Sequence, residues 1–196
     1  MENVCCFDFD GTLTRRDSLL AFIRYAKGTG ALFRGLLRYS SILVLMKIRL
    51  YPNWKAKQKF FAHFFKGMTE SDFDALCHRF AATNRDLLCP TALKEYNEAL
   101  SRGERVFVVS ASIDNWVKPF VPEATVVGTK VETVDGRLTG RFLTHNCYGP
   151  EKVKRLCKVL PGERNQYYIK AYGDSRGDRE LLQYANESYL NFKRIK

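Results

Sequence analysis

The sequence predicts an α/β fold: a mostly parallel sheet with helical crossovers, interrupted early by an all-helical insertion. Three observations predict it. An apolar, β-prone run opens the chain at residues 4–10 and delivers Asp8 and Asp10 into a Gly11-Thr12 turn. From residue 17 to about residue 88 the texture is helical throughout. After Pro90 strands and helices alternate to the end of the chain, the rhythm of a parallel sheet with right-handed crossovers. With 196 residues, 45% of them hydrophobic, the chain can bury a real core as one domain carrying an insertion.

The elements follow in order. The first strand is residues 4–10. Helices are expected at 17–27, 31–50, 53–66 and 70–88, separated by Gly28-Thr29-Gly30, Tyr51-Pro52 and Gly67. A helix at 91–102 leads through Gly103 to a strand at 105–110, and a helix at 112–120 to a strand at 124–128. Residues 130–144 alternate around Asp135-Gly136, a strong hairpin signal. A helix at 151–160, a strand at 167–172, a helix at 178–185 and a strand at 187–192 complete the chain. The expected division is therefore a core of residues 1–14 and 90–196, and a helical cap of residues 15–89.

Composition narrows the function. A net charge of +11 favours an anionic partner, but no zinc-finger spacing or RNP-like aromatic strand is present, so nucleic acid is not expected. The six cysteines form no CxxC pair and fit small apolar thiols in a reduced cytosol. No secretory leader is expected, because the first strand begins at about residue 3. The longest greasy stretch, 31–51, is broken by Arg34, Arg38, Lys47 and Arg49, and its uncharged part is far short of the roughly 20 residues a spanning helix needs.

The chemistry gathers at strand ends. Asp8 and Asp10 are two residues apart and share a face, and close carboxylates repel unless a cation or a shared proton relieves them. A second buried-type strand, Arg105-Val-Phe-Val-Val-Ser110, ends in a hydroxyl. Tyr148-Gly149-Pro150-Glu151-Lys152 sets a lysine in the first turn of a helix, and Gly173-Asp174-Ser-Arg-Gly177-Asp178 ends a third strand with two more acids. This order, strand-DxDGT, strand-Ser, Lys at a helix start and strand-GDxxxD, resembles the haloacid dehalogenase-like phosphohydrolases along the whole chain, and within them the branch that contains phosphoserine phosphatase.

The resemblance implies a Rossmann-like core with a helical cap and a phosphatase working through an aspartyl-phosphate on Asp8. Asp10 is placed to protonate the leaving oxygen and then to take a proton from water; dehalogenases of the superfamily lack an acid there. Mg²⁺ is the expected metal, since the candidate ligands are hard oxygens. By the resemblance Asp8 and Asp174 bind it through carboxylates, Asp10 through its backbone carbonyl, and Asp178 through a bound water or an outer-shell position. Asp178 also suits a helix cap. Ser110 and Lys152 are expected to hold the phosphate, and Thr12 to fix the turn by hydrogen bonding. Asp17, nine residues after Asp8, matches an acid that reads the substrate's amino group in phosphoserine phosphatases; an ordinary helix N-cap is the alternative. The chain departs from that family at Gly11, commonly Ser there, and at Arg15-Arg16, where neutral polar residues are usual.

The helix expected at 31–50 is apolar and carries only positive charges, which suits either an anionic membrane interface or a packed cap core. The bacterial phosphatidylglycerophosphate phosphatases of the same superfamily have a comparable segment. The expected partner is a small phosphorylated substrate, with a phospholipid head group as the alternative, and the expected location is the cytoplasm, with peripheral contact at the inner face of the membrane as the alternative. A third reading, an inactive basic binding module, is disfavoured by the intact set Asp8, Asp10, Ser110, Lys152, Asp174 and Asp178.

Overall fold

The computed structural model describes residues 1–196. Its strands are β1 (Glu2–Phe7), β2 (Arg105–Ile113), β3 (Thr125–Thr129), β4 (Val131–Val134), β5 (Arg137–Phe142), β6 (Tyr167–Gly173), β7 (Glu187–Leu190) and β8 (Lys193–Arg194). Helices α1 (Ser18–Lys27), α2 (Thr29–Arg38), α3 (Ser40–Lys47), α4 (Asn53–Phe65) and α5 (Glu70–Thr83) lie between β1 and β2, followed by α6 (Pro90–Ser101). The remaining helices are α7 (Asp114–Val117), α8 (Pro150–Val159) and α9 (Arg179–Tyr184).

The main sheet runs β3-β2-β1-β6-β7-β8, parallel except for the short edge strand β8. The central strand β1 pairs with β2 on one side and β6 on the other. The chain therefore builds the sheet in one direction and then in the other. That switch opens a crevice at the carboxyl ends of the strands, beside β1.

Alternation along β1 sends Val4 and Cys6 to one face and Cys5 and Phe7 to the other. The first face packs on Leu156 of α8 and Leu181 of α9. The second meets Ala92 and Tyr96 of α6 and runs on into the inserted helices through Phe22, Phe61, Phe65, Phe73 and Phe80. Trp116 stacks on Phe22 at 5.0 Å and Phe80 meets Phe120 edge-on at 5.5 Å. Each such pair adds about 0.5–1.5 kcal/mol beyond simple burial. The insertion is thus fused to the sheet by aromatic packing. The β4–β5 hairpin, with positive φ at Asp135 and Gly136 as its turn requires, also clasps the insertion. There Gly140 lies so close to α4 that an added Cβ would be 2.7 Å from the Cβ of Ala62.

Four expectations are corrected. The single helix at 31–50 is two helices, α2 and α3, broken at Tyr39. Gly35 is pressed against the Phe64 ring, and the Tyr39 ring packs edge-on against Phe60 at 5.9 Å and His63 at 5.4 Å. These contacts hold the end of α2 on α4, and the chain bends there. The first strand stops at Phe7 rather than Asp10, because the amides of Thr12 and Thr14 turn back onto the Phe9 carbonyl and that of Leu13 onto Asp8. Helix α5 ends at Thr83, where the Asn84 carboxamide donates to the Phe80 carbonyl. Strand β2 continues to Ile113 through an irregularity after Val109, so the helix expected at 112–120 shrinks to α7 and a 3-10 turn containing Pro119.

Candidate active site

Each strand end at the switch supplies one group. Asp8 follows β1, Asp174 follows β6, Ser110 sits where β2 becomes irregular, and Lys152 occupies the first turn of α8. Gly149, at φ 60°, opens that helix, and Pro150 suits its first position, where no amide bond is lost. Together with Asp10, Asp17 and Asp178 these residues line one cavity of about 520 Å³. All the expected site residues are therefore brought together.

Lys152 is the hub. Its ammonium, 1% exposed as a residue, donates to Asp8 Oδ1 at 2.6 Å and to Asp178 Oδ1 at 2.5 Å. The other oxygen of Asp178 accepts from the amides of Asp174 and Ser175 and from the Ser175 hydroxyl. Asp178 stands at the N-cap position of α9 but makes no side-chain cap bond to it; its carboxylate instead reaches back to close the 3-10 turn Arg176–Asp178 and anchors Lys152. One ammonium cannot neutralise two buried carboxylates. Burial pushes the Asp8 carboxyl up to about 7; Lys152 pulls it down while Asp178 adds to the rise. Burial would lower the Lys152 ammonium, but Asp8 and Asp178 outweigh it and hold the group above its ordinary range. Asp174 is also raised, by burial and then by Asp178.

Asp10 is gripped by residues that the sequence reading did not single out. Its Oδ1 accepts from the Ser18 amide at 2.8 Å, and its Oδ2 accepts from the Ser112 hydroxyl. The Ser18 hydroxyl lies 3.1 Å from that of Ser112 and accepts from the Trp116 indole N–H at 3.0 Å. A donor chain from Trp116 through Ser18 and Ser112 therefore ends on Asp10. The available signal was the alternation Ser110-Ala111-Ser112, which puts both hydroxyls on one strand face. Lys57, from α4, was also missed; its half-buried ammonium donates to the Ala111 carbonyl at 2.9 Å and lines the same cavity.

Two assignments change in detail. The Thr12 hydroxyl is buried without a protein partner and does not tie the turn. Thr14 does, with its hydroxyl 3.1 Å from the Phe9 carbonyl and 2.9 Å from that of Arg16. Asp17 is the N-cap of α1, accepting from the Leu20 amide at 3.0 Å, and it also borders the cavity. Burial, then the nearby Asp10, raises its carboxyl. The cavity roof is apolar: Leu36 of α2, Leu43 and Met46 of α3, and Phe60 of α4.

A divalent cation fits this donor set. Four carboxylates (Asp8, Asp10, Asp174 and Asp178) line the cavity, and the one ammonium paired with any of them, Lys152, bridges Asp8 and Asp178. Oxygens of Asp8, Asp174 and Asp178 lie within 4.8 Å of one another, and Asp174 Oδ1 is buried with no hydrogen-bond partner. Gly11, at φ 80°, is required here, since an added Cβ would overlap Asp174 Oδ2. Oxygen-only donors are those that hard cations such as Mg²⁺ prefer.

Comparison with known proteins agrees with this architecture. The family model for haloacid dehalogenase-like hydrolases matches residues 5–183. Protein CicA of Caulobacter vibrioides is 35% identical over 192 residues, covering 92% of this chain and 82% of the relative. A protein of unknown function from Bordetella pertussis Tohama I superposes with a TM-score of 0.84 at 19% identity, over 97% of this chain and 90% of that one. A phosphoserine phosphatase solved as a phospho-aspartyl intermediate analogue superposes at 0.61 and 20% identity, over 96% and 86% of the two chains. With a match that spans nearly its whole length, the chain belongs to the haloacid dehalogenase-like hydrolases.

Proposed function

We propose that the protein is a Mg²⁺-dependent phosphatase that hydrolyses a phosphate monoester through an aspartyl-phosphate on Asp8. One observation carries the reading: Asp8, Asp10, Ser110, Lys152 and Asp174 converge on a single cavity at the sheet's switch point, with Lys152 bridging Asp8 and Asp178. In this reading Asp8 and Asp174 hold the metal by their carboxylates and Asp10 by its carbonyl, while Asp178 acts from the outer shell. When bound, the metal screens the charge of the phosphoryl group from its carboxylate nucleophile.

The chain's own residues do the rest. A carboxylate oxygen of Asp8 bonds to phosphorus as the bond from phosphorus to the leaving oxygen breaks, and Asp10 gives that oxygen a proton. Asp10, now a carboxylate, takes a proton from water as the water oxygen bonds to phosphorus. The acyl-phosphate bond breaks, releasing phosphate and restoring Asp8. Lys152 and the Ser110 hydroxyl hold the phosphoryl oxygens, and the Ser112–Ser18 pair keeps Asp10 aimed.

The phosphoserine phosphatases among the structural neighbours favour a small soluble phosphomonoester as substrate. Asp17, raised by burial and open to the cavity, is placed to meet an amino group on it. A second reading, a lipid phosphate, is favoured by the apolar roof of Leu36, Leu43, Met46 and Phe60. A phosphate-release screen with Mg²⁺, spanning amino-acid, sugar, nucleotide and lipid monophosphates, separates the two. The proposal fails if none of these is turned over by a protein that is folded and metal-loaded.

A further inference from the structure

The net charge of +11 is not spread over the molecule. Residues 18–69, which hold α1 to α4, contain ten Lys or Arg and no Asp or Glu, while the rest of the chain is nearly balanced. Nine of the ten cations are exposed, Lys57 being the exception, and none is in a salt bridge. The same segment carries an unpartnered apolar face. Helix α3 reads Ser-Ser-Ile-Leu-Val-Leu-Met-Lys, yet none of its residues is buried. One side of α2 and α3 roofs the catalytic cavity with Leu36, Leu43 and Met46. The opposite side stands in solvent with Phe33 and Leu37 on α2, Val44 on α3, and Ile48 and Leu50 just beyond, all 57–73% exposed. An apolar strip of this kind rimmed by free cations marks an interaction site.

We infer that the helical insertion docks on an anionic bilayer surface, with the exposed sides of α2 and α3 in the interface and Arg34, Arg38, Lys47 and Arg49 at the level of the head groups. Charge selects this occupant. A second copy of the chain would bring two acid-free cationic segments together, and a nucleic acid would leave the apolar strip unused. An anionic bilayer matches both features, as amphipathic interfacial helices with basic rims do. The face lies one helix away from the cavity, so a docked enzyme would have its site close to the lipid. The docking names a partner surface for the phosphatase reading but does not depend on it, and binding is measured without turnover.

Trp54 reports directly. The chain has two tryptophans; Trp116 is buried, and Trp54, just after the strip, is 42% exposed. Metal-free and Mg²⁺-loaded protein is mixed with vesicles of phosphatidylcholine alone or with added phosphatidylglycerol, and flotation and Trp54 emission are followed. The expected result is flotation and a blue shift with the anionic vesicles only, weakening as salt rises. Each cation at the surface is worth about five-fold in affinity, so Arg38→Gln with Arg49→Gln should weaken binding about 25-fold. Val44→Ser with Ile48→Ser should weaken it by about ten-fold or more, with circular dichroism checking the fold. The inference is overturned if wild type fails to float with anionic vesicles, or if both variant pairs bind as wild type does. It is also overturned if wild type is a dimer that Val44→Ser with Ile48→Ser converts to a monomer. Vesicle binding without phosphatase activity would sink the proposed function and leave the docking standing.

Discussion

Replacing Lys152 with Met removes the one cation from a buried cluster of acids while keeping most of the side-chain volume. Asp8 and Asp178 lie 2.6 and 2.5 Å from the ammonium, and Asp178 is fully buried. Breaking a buried pair from one side costs about 3–5 kcal/mol, because the partner charge stays behind. For a chain of this size each kcal/mol lowers Tm by roughly 2–4 °C, so the metal-free variant should melt about 6–20 °C below wild type. The pH dependence carries the diagnosis. Burial already raises Asp8, and losing Lys152 removes the group that opposes that rise. A carboxyl with a raised folded-state pKa is ionised more easily in the unfolded chain, so its contribution to stability falls as pH rises above the unfolded value of about 4. The deficit should therefore be small at about pH 5, where protonation relieves the cluster, and larger at about pH 8. Thermal unfolding by circular dichroism across that range, with and without Mg²⁺, makes the measurement. A deficit that is absent at pH 8, or equal at both ends, would refute the view of Lys152 as the charge that holds the cluster together.

Other changes test single contacts. Ser112→Ala removes a hydrogen bond to a carboxylate worth about 1.5–3 kcal/mol. If that energy aims Asp10, kcat should fall roughly ten-fold or more with little change in KM, and an unchanged kcat would dismiss the positioning role. Gly11→Ala places a Cβ on Asp174 Oδ2 at a positive φ, so it should weaken Mg²⁺ affinity measured by calorimetry; wild-type affinity would remove Asp174 as a ligand. Asp10→Asn should lose turnover but keep more Mg²⁺ affinity than Asp174→Asn, since its proposed metal contact is through the backbone. Equal losses of affinity would contradict that assignment.

The parts of the site that were legible in the sequence are those in which local pattern and chemistry coincide. An apolar run ending in Asp8-Phe9-Asp10-Gly11, and another ending in Gly173-Asp174, mark strand ends without any tertiary information. Lys152 was legible because Gly149-Pro150 announces the helix start. Ser112 was not, since its role depends on an irregularity in β2 and on Ser18 and Trp116, the former 94 residues away. Thr12 and Thr14 are alike in sequence, and only the turn's geometry decides which hydroxyl finds carbonyls. The break at Tyr39 carries no Pro or Gly signal of its own, because it comes from packing on Phe60, His63 and Phe64 in another helix. The same stretch suited either a membrane interface or a packed cap core, and it divides between the two environments: Leu43 and Met46 line the cavity while Val44 and Ile48 stand in solvent.

The central claim is that Asp8 becomes covalently phosphorylated. It is tested most directly by mass spectrometry of acid-quenched enzyme after brief exposure to Mg²⁺ and p-nitrophenyl phosphate. The account predicts a phosphate's added mass on the peptide that contains Asp8 and none in Asp8→Asn. It also predicts accumulation in Asp10→Asn, because that leaving group needs little acid help while hydrolysis of the intermediate needs the base. Turnover by wild type with no label on that peptide, together with phosphate release by Asp8→Asn at a rate near wild type, would contradict it.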